Sequence, residues 1–137
     1  MRKLQTLRAA IVAAVPTLAG CPENLLVFVE SGSVQAFQDA NHSHRLDYTA
    51  NLVLLDFTGD LGEVTRAVVA WLKIEQADLL QNPERMAEGF TFEAELTSHS
   101  TMDLSIKLRL MERCIDVPGQ PVTWPPEPDL DALFGHG

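Results

Sequence analysis

Residues 52–72, LVLLDFTGDLGEVTRAVVAWL, constrain the fold of this chain more than any other stretch. Four apolar residues run without alternation into an acidic turn, and a helical pattern follows at once. Asp60 with Glu63 three residues later is a capping-box pattern. Both acids also lie where the positive end of a helix dipole favours them. Beyond them Leu61, Val64, Val68, Trp71 and Leu72 fall on one apolar stripe. The stretch therefore predicts a buried strand, a tight joint at Asp56, Gly59 and Asp60, and an amphipathic helix. Asp56 is expected to satisfy backbone amides of the turn with its side chain. The unbroken apolar run at residues 52–55 predicts a central strand covered on both faces near its end.

Two more segments alternate cleanly. Phe90, Phe92, Ala94 and Leu96 interleave with Thr91, Glu93 and Glu95, and Leu104, Ile106, Leu108 and Leu110 interleave with Ser105, Lys107 and Arg109. Period two with one apolar face is the signature of a half-buried strand. The polar link at residues 97–101 predicts a hairpin. Pairing is expected to bring Glu93 and Glu95 near Lys107 and Arg109, with Phe90 and Phe92 in the core. Upstream, residues 25–29 read as a strand, Glu30-Ser31-Gly32-Ser33 as a turn or bulge, and residues 38–45 as a loop. Residues 76–83 also read as a loop, followed by a turn of helix near Glu84.

Residues 1–21 admit two readings. Leu4, Leu7, Ile11, Val15 and Leu18 recur at helical spacing, with Pro16 expected to stop or kink the helix near Val15. Alternatively, Arg2 and Lys3, the apolar run and Leu18-Ala19-Gly20-Cys21 match a lipoprotein leader, which would make the chain a periplasmic domain anchored through Cys21.

The chain has 137 residues and fits one domain. Its net charge of −9 argues against nucleic-acid binding, which needs clustered Lys and Arg. No apolar run is long enough to span a membrane. Cys21 and Cys114 lack metal-ligand spacing and read as free thiols. His42, His44 and His99 could supply a metal-dependent enzyme, but two His in a polar NHSH loop are ordinary surface residues and no shell of three or four ligands is evident. Asp56 and Asp60 could imitate a carboxylate pair, yet capping and turn bracing explain both. No nucleophile elbow, phosphate loop or dinucleotide fingerprint is present. The sequence thus predicts no catalytic residue, no metal and no cofactor. After Val117 five prolines make the chain extended. Residues 1–115 are expected to form the folded domain and 116–137 an acidic tail, flexible or docked on a partner through Trp124, Leu133 and Phe134.

The DFTGD of residues 56–60 followed by AWL at 70–72 resembles the tail completion protein R family of contractile-tailed temperate bacteriophages. LR at 7–8, FV at 28–29, GSV at 32–34, GFTF at 89–92, DLSI at 103–106 and ER at 112–113 extend the resemblance in order. It covers about residues 4–113 and leaves out the tail. The resemblance implies a non-enzymatic virion assembly protein that acts late, at the head-proximal end of the tail, and makes the tail competent to join the head. It implies tail proteins as partners (the tube, the sheath or a head–tail connector), a homo-oligomeric ring for which sixfold symmetry would match the tube, and a place in the host cytoplasm during assembly and then in the virion tail. The fold expected from the residues is α/β in the α+β sense: a mixed or mainly antiparallel sheet of about four strands packed against two main helices, with an extended C-terminal tail.

Overall fold

The computed structural model describes residues 1–36 and 41–125. Helix α1 spans Arg2–Ala14 and the short α2 spans Pro16–Gly20. Between them Val15 is extended (φ −113°, ψ 104°), and Pro16 opens α2 at a position where its missing N–H costs nothing. A single 3-10 turn, Pro22–Asn24, leads into strand β1, Leu25–Ala36, and β2 follows at His44–Phe57. Helix α3 is Leu61–Glu75. Two short helices, α4 (Ala77–Gln81) and α5 (Pro83–Gly89), occupy the segment expected to be mostly loop. Asn82 separates them by capping α5, its side chain accepting from Glu84 N and Arg85 N. Strands β3, Phe90–Leu96, and β4, Met102–Cys114, complete the regular structure of the described residues.

The four strands form one sheet in the order β1-β2-β4-β3, and every neighbouring pair is antiparallel. Among the described residues the helices lie on one side. Tyr48, Ala50, Leu52 and Leu54 of β2 and Leu104, Ile106, Leu108 and Leu110 of β4 face them, and all eight are buried with Leu7, Ile11, Val15 and Leu18 of the N-terminal helices and Val64, Val68, Trp71 and Leu72 of α3. The first 20 residues therefore supply four core side chains. Cleavage before Cys21 would remove those side chains, so the lipoprotein reading finds no support in the fold.

Three expectations need correction. The central strand is not covered on both faces: Leu55 is 38% exposed and Val53 only partly buried, because no element lies over the second face among the described residues. Phe92 is not a core residue. It points to the helix side but is 53% exposed, and Leu96 beyond it is 78% exposed. The helix layer reaches the start of β3, where Phe90 packs on the core, and stops there. Finally, the hairpin register puts Glu93 opposite Ser105 and Glu95 opposite Asp103. Lys107 instead reaches Glu30 at 3.1 Å, and Arg109 lies 3.9 Å from Glu88. The alternation of β3 and β4 was compatible with several registers; the five-residue link, which joins Leu96 to Met102, selects this one.

Candidate functional site

The joint after β2 is built from four residues. Asp56 lies in the left-handed region (φ 51°), where Asp is among the better-tolerated side chains. The pairing of β2 with β4 shifts between Leu54 and Phe57, so Asp56 sits in a bulge. Its amide donates to Asp103 Oδ1 at 2.9 Å. The bracing thus comes from the Asp103 carboxylate to the Asp56 backbone, rather than from the Asp56 side chain as the sequence suggested. Gly59 is required by a close approach: a Cβ there would come within 2.8 Å of the Phe57 ring. Asp60 caps α3, its Oδ1 accepting from Gly62 N at 2.9 Å, and Glu63 lies in the first turn. Further along the helix Trp71 is 6% exposed and Leu72 fully buried.

A buried polar network, invisible in the sequence, fastens α1 to the far end of the sheet. Lys3 is buried, and its Nζ donates to Gln76 Oε1 at 2.7 Å and to the Met111 carbonyl at 2.5 Å. The backbone N–H of Lys3 donates to Glu112 Oε1 at 2.7 Å, and Tyr48 OH donates to Glu112 Oε2 at 2.9 Å. Gln76 Oε1 also accepts from Met111 N at 3.1 Å. Burial, reinforced by the charge of Glu112 and the hydrogen bond to it, pushes the Tyr48 phenol far above its ordinary range. Arg2 pairs with Glu75 at 2.5 Å beside this network. Only the helical spacing of residues 4–18 could have hinted that Lys3 turns inward.

The root of the C-terminal segment is tied down. Asp116 N donates to Ser43 Oγ at 2.9 Å, and Asp116 Oδ2 accepts from His42 N at 3.1 Å. Ile115 and Thr123 then form an antiparallel bridge around a turn in which Gly119 has φ 81°. The extended course expected after Val117 is therefore folded back on itself as far as Thr123. Trp124 follows, half-buried; Leu133 and Phe134 lie outside the described residues.

Nothing in these arrangements resembles a reacting centre. His42 is nearly fully exposed and pairs with Asp116, and His44 Nδ1 lies 2.9 Å from the His42 carbonyl. Among the described residues no group of three or more His, Cys, Asp or Glu could hold a metal. Both cysteines are free, Cys21 exposed and Cys114 buried. Among the same residues no helix is long and apolar enough to cross a membrane. A cleft of about 360 Å³ opens beside Gly32, Tyr48, Gln76, Arg85 and Arg109, but the phenol on its wall is already spent on Glu112.

Among the described residues the two outer strands each leave one edge unpaired, and the sheet face away from the helices carries the exposed Leu26, Phe28 and Leu55.

The profile of the P2 phage tail completion protein R (GpR) family matches residues 1–128. Tail completion protein R of Escherichia phage P2 is 38% identical over 115 residues, spanning 84% of this chain and 74% of that protein. No solved structure matches the chain. With a family match across nearly its whole length, the chain belongs to the P2 phage tail completion protein R family.

Proposed function

We propose that this chain is a structural protein that completes a phage tail, acting at the head-proximal end and making the tail competent to join the head. The observation that carries this reading is the family match over residues 1–128, strengthened by 38% identity to the tail completion protein R of phage P2. The chain works by binding rather than by catalysis. Its partners are other tail proteins, the tube first among them, and its place is the host cytoplasm during assembly and the virion tail afterwards.

Copies of the chain close into a ring, for which sixfold symmetry would match the tube. Closure requires heterologous, head-to-tail interfaces. A rigid two-layer unit with free sheet edges supports that reading. Residues 1–115 form the rigid unit. Residues 116–137 act as an arm whose root is held by Ser43 and His42, with Trp124, Leu133 and Phe134 as contacts to a neighbouring subunit. Asp56, Gly59, Asp60, Glu63, Trp71, Leu72 and Phe90 serve the scaffold.

Location tests this directly. An affinity tag at the C-terminus, labelled with gold on purified tails, should mark one tail end, the one that meets the head. Label spread along the tail, or at the distal end, would contradict the proposal.

A further inference from the structure

We infer that copies of this chain join edge to edge, with β3 of one copy pairing antiparallel with residues 25–29 of β1 in the next. The inference takes from the proposed tail role only the expectation that copies close into a ring.

Strand direction permits it. In the order β1-β2-β4-β3 with every pair antiparallel, the two outer strands run in opposite directions. Two copies set side by side in the same orientation therefore meet as antiparallel strands, with both helix layers on one side. That is the geometry a heterologous contact needs, and main-chain pairing at a sheet edge is an established mode of recognition.

The side chains place the contact. Residues Val27, Leu52, Ile106 and Phe92 form one row across the sheet, and Val29, Ala50, Leu108 and Phe90 form the next. At this level both edges carry exposed apolar side chains: Leu26 (46%), Phe28 (43%) and Val29 on β1, and Phe92 on β3. Continuing the rows into a second copy sets Phe92 beside Val27 and Phe90 beside Val29 on the helix side. It also sets Glu93 opposite Leu26 and Thr91 opposite Phe28 on the other.

At this level β1 carries no charge and β3 carries only the acids Glu93 and Glu95. Sheet edges are commonly blunted with Lys, Pro or a bulge. Residues 25–29 (LLVFV) and 90–96 (FTFEAEL) contain no Lys, Arg or Pro. The irregularity of β1 comes only afterwards, between Val29 and Ser31, where it would end the pairing.

Charge disfavours a two-fold dimer through β3. Pairing β3 with its own copy in either central register sets Glu93 or Glu95 opposite a Glu of the other copy, and like charges directly opposite are destabilising. Neither acid has an ion pair among the described residues, so nothing offsets the repulsion. Residues 25–29 carry no charge, and Glu30 just beyond them is held by Lys107 at 3.1 Å.

The test uses the full chain with Cys21→Ser, which leaves only the buried Cys114. Glu93→Cys and Leu26→Cys are introduced separately and together, and the proteins are oxidised. The double variant should give a covalent ladder extending beyond the dimer, and each single variant should stay monomeric on a denaturing gel. Dimers from either single variant would establish two-fold pairing and overturn the inference, and so would a double variant that does not cross-link. Phe92→Lys, at a half-exposed position, should abolish self-association in sedimentation while leaving thermal unfolding of the subunit unchanged; association at the unaltered level would also overturn it. A chain that fails these tests yet restores tail assembly in the phage would remove the edge pairing and leave the tail role standing. A chain that cross-links as expected but is absent from tails would do the reverse.

Discussion

The indole Nε1 of Trp71 donates to Thr6 Oγ1 at 3.0 Å, joining α3 to α1 across 65 positions. The two longest helices are thus locked by a hydrogen bond as well as by packing, and the helix pair closes the core over the sheet. Trp71→Ala removes a nearly buried aromatic ring and should cost about 3–5 kcal/mol. Trp71→Phe keeps most of the packing and loses the bond, and about 1 kcal/mol is expected. Urea unfolding of the two variants separates these contributions. A loss under about 1 kcal/mol for the alanine variant would mean the ring is a surface contact.

Gly59 faces the Phe57 ring so closely that any side chain must displace it. Phe57 is itself buried, so the ring has little room to yield. Gly59→Ala should destabilise by about 1–3 kcal/mol through overpacking. A neutral result would mean that the joint between β2 and α3 relaxes freely.

Glu112 accepts from two buried donors, the Lys3 backbone N–H and the Tyr48 hydroxyl. Glu112→Leu strands both, and each unsatisfied buried donor costs about 1–3 kcal/mol. A total near 3 kcal/mol or more is expected on that basis. Hydrogen exchange should also report faster opening of the first turn of α1, because Lys3 N–H loses its acceptor. Unchanged exchange there would contradict the anchoring role.

The Tyr48 phenol has a folded-state pKa raised above the ordinary value of 10.0. A raised pKa means the folded chain holds the proton that the unfolded chain releases. The stabilisation is therefore complete below about pH 10 and is lost as pH rises beyond it, by at most about 1.4 kcal/mol per pH unit. Urea midpoints measured at pH 9 and pH 11 should fall more steeply for the native chain than for Tyr48→Phe. Equal falls would exclude Tyr48 as the titrating group.

Much of the fold was legible because it rests on local patterns. The alternation at 104–110, the stripe from Leu61 to Leu72 and the Asp60 cap each depend on neighbours a few residues away, and the structure places them accordingly. Val15 and Pro16 likewise mark the helix break by backbone chemistry alone. Other features depend on distant partners. Lys3 is buried because Gln76, Met111 and Glu112 meet it, and helical spacing alone does not name those partners. The apolar run at 52–55 reads the same whether one face or two are covered, so Leu55 was assigned a cover it lacks. Phe92 alternates as a core residue should, but the helices end before reaching it.

Particle counts in lysates test whether the chain completes a phage tail. The phage encoding the chain is induced with its reading frame deleted, with and without the chain supplied in trans, and the particles are counted by electron microscopy. Without the chain, filled heads and separate, unjoined tails are expected, and complete virions at normal yield when it is restored. Normal numbers of joined, infectious virions in its absence would rule out a tail-completion role.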